Sequence, residues 1–260
     1  MRLRWFRRRE LKILILSGAS VLRFPTMLNH KIYADMHGYR YRYDLSPTRN
    51  IKRFYWHKIA KIQDALNDAD WIFWVDDDVF LTQLDVGLEE LVPELFDPKL
   101  HLIFGKSPVN LQGGWTYLTS GSFFIRNSRT SRDLLSSTRE DLLPTVEKWW
   151  DSHRFGMWCA GEQDVLVYLI VTNPRFGKAT ALLEYQRFNT RPYHFHNQGS
   201  EHFLVHFTNQ PDRSKTDQMR DFAQKFSLTP FMVPKELLEP YGRYPDLLLK
   251  MVGEDQGVFN

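Results

Sequence analysis

The sequence predicts an α/β fold, a mostly parallel sheet covered by helices, and three observations carry that expectation. LKILILSGAS (residues 11–20) is an apolar run that ends in small residues, as a first strand does when it feeds a ligand-binding turn. WIFWV (71–75) is a run of large apolar residues that reads as a buried strand, and it stops at three consecutive carboxylates, Asp76, Asp77 and Asp78. Between the two lies the order helix, strand, helix, so the first 75 residues alternate as such a sheet requires.

The elements follow in order. HKIYADMHG (30–38) predicts a helix that stops near Gly38, and the alternating aromatics of Tyr39 to Tyr43 predict a strand. Apolar residues at 56, 59, 62, 65 and 66 form a helical stripe, with Asn67 to Asp70 as the break before WIFWV. After the aspartates come a helix broken near Pro93, a strand HLIFG (101–105), a glycine-rich loop LQGGWTYLTSG (111–121) and a strand SFFIR (122–126). Residues 128–150 carry one long helical pattern, and EQDVLVYLIV (162–171) a second. A short strand LLEY (182–185), a strand FLVHF (203–207) and polar helices after Ser214 complete the chain. Residues 186–202, rich in rings, Gly, Pro and Asn, read as a functional loop.

Composition sets the frame. A chain of 260 residues with 43% hydrophobic and 25% charged residues can bury one large core, so a single domain with elaborations is expected. Its 15% aromatic content suits stacking on a sugar or base, and ordinary core packing equally well. A net charge of only +3 argues against a dedicated nucleic-acid binder. The positive excess is local: Arg2, Arg4, Arg7, Arg8 and Arg9 surround Trp5 and Phe6 in a basic tail (1–10) that reads either as a solvated end or as a peripheral contact with an anionic membrane face. One cysteine, Cys159, allows no internal disulfide and fits a reducing compartment, and no apolar run approaches the about 18 residues of a membrane span. The expected location is cytoplasmic, at most peripheral to the inner membrane face.

Three groups of residues could carry chemistry. Side chains alternate along an extended chain, so Asp76 and Asp78 would share one side and Asp77 the other, and the first two could converge on a hard divalent cation. A plain acidic turn is the competing reading. His194, His196, His202 and His206 fall within thirteen residues, and His206 sits inside the apolar strand FLVHF, where it is either a metal ligand or a hydrogen-bonded core histidine. Glu162, Gln163 and Asp164 open an apolar helix, where they either cap it or face a substrate. Trp115 and Tyr117 in the glycine-rich loop could stack on a ligand, and Lys58, Lys61, Arg126, Arg213 and Lys215 are phosphate partners or surface charges.

Taken in order, ILSGAS, KIYADMHGYRYRY, WHKIAKIQDAL, WIFWVDDDVF, SGSFFIRNS, EQDVLVYLI, QRFNTRPY and FLVHF, spread over residues 11–210, resemble the retaining glycosyltransferases that include yeast-type Golgi α-1,6-mannosyltransferases, α-galactosyltransferases and plant xyloglucan xylosyltransferases. The resemblance implies a GT-A fold, a Rossmann-like mixed sheet flanked by helices and joined to an acceptor-binding C-terminal half, with a helical extension over 211–260. It implies Mn²⁺ (or Mg²⁺) on Asp76, Asp78 and His206 as the D-x-D pair and its later partner. Asp77 would meet the ribose or donor sugar, the turn at Ser17 and Gly18 the nucleotide, and Glu162 and Gln163 the donor's anomeric face, with a double displacement on Glu162 or Asp164 as the less favoured mechanism. Two departures stand out. The family's phosphate-contacting lysine falls near Pro211, which leaves Arg213 or Lys215 to replace it, and Thr119 and Ser120 stand where an Asn is usual.

The function expected is therefore Mn-dependent transfer of a sugar from a nucleotide-diphosphate donor, a UDP-sugar before GDP-mannose, to a hydroxyl of a glycan or glycolipid acceptor. A metal-dependent phosphoester hydrolase and a non-catalytic carbohydrate- or nucleotide-binding protein of the same fold are the rival expectations.

Overall fold

The computed structural model describes residues 11–47, 51, 53, 55–196, 202–210 and 212–256. The arginine-rich tail and Pro211 lie outside them, as does part of the loop 186–202.

Eight strands are present among the described residues: β1 (Ile13–Gly18), β2 (Arg40–Asp44), β3 (Trp71–Val75), β4 (Val79–Leu81), β5 (Leu102–Gly105), β6 (Thr119–Arg126), β7 (Thr180–Leu183) and β8 (Leu204–His206). Six form one sheet in the order β2-β1-β3-β6-β5-β7. The pairs β1 with β2, β1 with β3 and β5 with β7 are parallel, whereas β6 runs antiparallel to both of its neighbours. The mostly parallel α/β sheet expected from the sequence is thus a mixed one, reversed at β6.

The side-chain alternation of β3 explains why WIFWV is apolar throughout. Ile72 and Trp74 face one core with Leu14, Leu16, Phe123 and Ile125, while Trp71, Phe73 and Val75 face the other with Ile13, Ile15 and Phe124. Phe73 and Phe124 stack across the strand pair at 4.3 Å between ring centres.

Helix α1 (Thr26–His37) begins four residues before the expected start. Its apolar pattern is masked because three positions on its buried face are polar, and each serves the backbone of β4 or the turn before it. Thr26 donates to the Asp77 carbonyl, Asn29 exchanges hydrogen bonds with the Leu81 backbone, and His30 bonds the Val79 carbonyl at 2.7 Å. Pro25 precedes the helix, where its missing N–H costs nothing, and Gly38 ends it in the left-handed conformation.

Helix α2 (Tyr55–Ala65) follows its stripe, and α3 (Leu88–Leu91) ends just before Pro93 as expected. The single long helix expected over 128–150 is instead α4 (Arg129–Ser137) and α5 (Leu143–Trp149), with α6 (Ser152–Phe155) beyond. Pro144 can occupy only the first turn of a helix, which forces the restart, and Thr138 turns its hydroxyl onto the Leu134 carbonyl at the end of α4. Helices α7 (Glu162–Thr172), α8 (Pro174–Lys178), α9 (Tyr185–Phe188), α10 (Lys215–Lys225) and α11 (Tyr244–Gln256) follow.

Strands β4 and β8 make a separate antiparallel ribbon with Val79 opposite His206. Met219 and Phe222 of α10, with Phe226 just after it, pack on Phe80, Val205 and Phe207 of this ribbon and its edge. Leu248 and Val252 of α11 pack with Leu28 and Ile32 of α1. Among the described residues, no helix is long and apolar enough to cross a membrane.

Candidate active site

β3 delivers the three aspartates to the carboxyl edge of the sheet. The Asp76 N–H donates to the Gly121 carbonyl at 2.7 Å, and the Val79 N–H donates back to the Asp76 carbonyl, so the acids occupy a turn between β3 and β4 rather than a continued strand. The expected separation of their side chains survives the turn. Asp76 and Asp78 converge with His206, each offering a ligand atom within 4.8 Å of the others. Asp77 points elsewhere, into the fork of Arg23, whose Nε and Nη2 donate at 3.0 and 2.9 Å. That fork occupies the carboxylate assigned to the ribose or donor sugar.

The ribbon brings His206 home. Opposite Val79, it is one step from Asp78, whose carbonyl accepts the Phe207 N–H at 2.9 Å. His206 Nδ1 donates to Asn189 Oδ1 at 3.0 Å, which leaves the Nε2 lone pair facing Asp78 Oδ1 at 3.4 Å. Burial holds the imidazole pKa down to about 4, so the ring is neutral near pH 7. Asp78 Oδ1 is itself buried without a hydrogen-bond partner. A lone pair and a carboxylate oxygen face each other with no proton between them, an arrangement that a cation completes. Two carboxylates and one imidazole are also a donor set that Mn²⁺ accepts, so the residues fit the group. Gly121 makes the room: a Cβ there would stand 2.4 Å from His206 Cε1.

The remaining charge on the aspartates is balanced by lysines. Lys58 Nζ, buried, contacts both Asp76 oxygens at 2.9 and 3.0 Å, Glu162 Oε1 at 3.1 Å and the Ser120 carbonyl at 2.8 Å. Trp74 Nε1 adds a 2.6 Å hydrogen bond to Asp76. Burial and the neighbouring Asp78 still raise Asp76 to about 6 against these partners. Burial would raise Asp78 too, yet the His206 imidazole first, and then Lys215 Nζ on its other oxygen, hold the carboxyl well below the usual range.

These groups open onto a cavity of about 670 Å³ whose wall includes Gly18, Ser20, Glu162, Gln163, Arg191 and Lys215. Gln163 is oriented by the Ser120 N–H, which donates to its Oε1 at 3.0 Å, while Ser120 Oγ donates to Glu162 at 2.7 Å. Serine at 120, one of the departures from the family pattern, therefore holds both residues.

Four assignments need correction. Asp164 does not line the cavity: its Oδ2 turns back to accept the Cys159 and Gly161 N–H groups and caps α7, while burial raises it to about 6. Ser17 is fully buried in β1, and Gly18 and Ala19 beyond it reach the cavity. Lys58 reaches the cavity with its ammonium already paired to Asp76 and Glu162. Arg213 pairs with Asp221 on α10, outside the cavity wall, which leaves Lys215 as the one of the two cations that faces it. Trp115 and Tyr117 also stay off the wall. His194 and His202 bond Arg191 N and Thr190 rather than the Asp76–Asp78–His206 group.

Sequence reasoning missed Arg23, Asn189 and Arg191. Asn189 and Arg191 lie within the quoted QRFNTRPY, so their position was in view, but nothing in residue type alone marks an amide that orients a histidine.

The comparisons fall in line with this geometry. A solved glycosyltransferase involved in the glycosylation of the major capsid of PBCV-1 shares the fold, with a TM-score of 0.56 over 79% of this chain and 97% of that one at 19% identity. Glycosyltransferase 6 of Arabidopsis thaliana is 30% identical over 125 residues, 45% of this chain and 28% of its own length. Galactomannan galactosyltransferase 1 of Cyamopsis tetragonoloba is 26% identical over 151 residues, 54% and 34% respectively. A Schizosaccharomyces pombe protein described as an uncharacterized alpha-1,2-galactosyltransferase is 23% identical over 218 residues, 68% and 56%. The chain thus spans between about a quarter and just over half of these curated relatives. The model of the galactosyl transferase GMA12/MNN10 family matches residues 19–103 and 105–226, and the chain belongs to that family.

Proposed function

We propose that the chain is a retaining, metal-dependent glycosyltransferase that moves a sugar from a nucleotide-diphosphate donor, a UDP-sugar before GDP-mannose, to a hydroxyl of a glycan or glycolipid acceptor. The observation that carries the reading is the Asp76–Asp78–His206 group at the cavity wall, with the partnerless Asp78 Oδ1 facing the His206 lone pair. These three residues would hold Mn²⁺ or Mg²⁺, which when bound supplies Lewis-acid compensation for charge on the departing diphosphate.

The rest is the work of the protein's own groups. Lys215 places an ammonium on the same cavity wall, where it can transfer from Asp78 to a phosphate oxygen. Gln163 lines the cavity with its Oε1 already satisfied by Ser120, and its Nε2 has only Cys159 Sγ at 3.9 Å, so the amide retains a donor for the sugar. Glu162 is 1% exposed and held by Lys58 and Ser120, and Asp164 is committed to a helix cap. With both carboxylates engaged, attack by the acceptor hydroxyl from the leaving-group face is favoured over a covalent sugar intermediate on either of them.

The test is calorimetric titration of UDP and of GDP with and without Mn²⁺, followed by turnover of the matching sugar nucleotides. Metal-dependent binding of one of them, with sugar release or transfer, is the expected result. Absence of binding for both nucleotides in the presence of Mn²⁺ sinks the reading.

A further inference from the structure

Five lysines and arginines line the cavity: Arg23, Lys58, Lys61, Lys215 and Arg191. Four have carboxylate partners. Arg23 holds Asp77, Lys58 holds Asp76 and Glu162, Lys61 holds Asp44, and Lys215 holds Asp78. Arg191 makes no ion pair among the described residues, and its Nη1 is buried without a hydrogen-bond partner.

Its position is fixed by the same strand that carries the histidine. The His206 N–H donates to the Thr190 carbonyl at 2.8 Å, and Thr190 bridges to Val205, so the next residue, Arg191, is tied beside the metal-ligating group. The Arg191 side chain lines the same cavity as Asp76, Asp78 and His206. An unpaired cation beside a site built for a divalent cation repels that ion. The two are compatible when an anion lies between them, with oxygens enough for both.

Resting on the glycosyltransferase reading, we propose that Arg191 is a binding residue for the diphosphate of the donor, taking its oxygens in the guanidinium fork. A planar fork meets two oxygens of such a group at once, which a lysine cannot do. Arg191 and Lys215, both on the cavity wall, would then share the diphosphate. The arginine is not a metal ligand, and its charge opposes metal binding until the diphosphate arrives.

That opposition gives the test a sign that a folding defect cannot imitate. Mn²⁺ alone, Mn²⁺ with inorganic pyrophosphate, and Mn²⁺ with UDP and GDP are titrated into the wild type and the Arg191→Met and Arg191→Lys variants. The expected result for Arg191→Met is about ten- to hundredfold weaker binding of pyrophosphate and of the preferred nucleotide. Binding of Mn²⁺ alone should be unchanged or tighter, and Arg191→Lys should fall between. Unchanged pyrophosphate affinity in Arg191→Met overturns the proposal, as does loss of Mn²⁺ binding in parallel, which marks a merely structural arginine. A wild type that binds pyrophosphate but neither nucleotide overturns the donor reading and leaves the Arg191 comparison decisive on its own. A wild type that binds none of the three overturns both.

Discussion

His206 Nε2 stands 3.4 Å from Asp78 Oδ1, and the ring proton is committed on Nδ1 to Asn189. Two electron-rich atoms are held face to face by the β4–β8 pairing, by the backbone hydrogen bond that continues it, and by the amide of Asn189 from a separate segment. The arrangement is fixed before any ion arrives, so most of the ordering cost of the site is met by folding.

Gly121→Ala tests that rigidity without replacing a ligand. The added methyl would lie 2.4 Å from His206 Cε1, too close for the ring to stay in place. Mn²⁺-dependent binding should weaken by about ten- to hundredfold, as for loss of a group that orients a ligand. His206→Ala should weaken it at least as far, and both variants should keep the far-ultraviolet circular dichroism of the wild type. Wild-type metal affinity in Gly121→Ala would remove His206 from the site.

Lys58 is a cavity-lining cation whose charge is already spent on carboxylates. It neutralises Asp76 and Glu162 together, and its side chain is only 9% exposed. Lys58→Met would leave the buried Glu162 and the half-buried Asp76 without this counter-charge, a change that costs up to about 3–5 kcal/mol where both partners are buried. Urea denaturation should show a loss of that size, with part of it recovered in the Lys58→Met, Glu162→Gln double variant. A loss confined to nucleotide affinity, with stability intact, would return Lys58 to the role of a phosphate ligand.

Asp164 predicts a pH dependence of stability. Burial raises its folded pKa to about 6 from an ordinary carboxylate value of 3.8, so between those values the folded protein binds more protons than the unfolded chain. The contribution of this group to stability therefore falls as pH rises through that window. Asn in its place keeps an acceptor for the Cys159 and Gly161 N–H groups and does not titrate. Asp164→Asn should gain stability relative to the wild type between pH 4 and pH 7.5, by roughly 1–3 kcal/mol. Thermal melts at the two pH values check the sign, and turnover should survive the substitution, since the carboxylate caps a helix.

What could be read from the sequence was what burial dictates. WIFWV, HLIFG and FLVHF declared their strands because apolar residues fill both of their faces, and the D-x-D acids were found because they interrupt that rule. Helix α1 hid its start because Thr26, Asn29 and His30 are buried for their hydrogen bonds to neighbouring backbone. The split between α4 and α5 turned on Pro144, which a periodicity count passes over. Asn189 and Arg191 acquire meaning only from the loop conformation that brings them against His206, some fifteen residues away in sequence.

The choice between Arg213 and Lys215 belongs to the same class, since both are cations at plausible distances from the histidine and only geometry separates them. Arg213 is paired with Asp221 away from the cavity, whereas Lys215 reaches Asp78 across the β4–β8 ribbon. Lys215→Met should therefore weaken binding of the Mn²⁺–nucleotide complex by about tenfold, the effect of one charged hydrogen bond. It should also tighten binding of Mn²⁺ alone, because Asp78 loses its competing cation. Arg213→Met should change neither quantity. Calorimetry on the two variants in parallel decides the matter: equal effects, or a larger one at Arg213, would mean that α10 turns a different face to the donor than the one seen here.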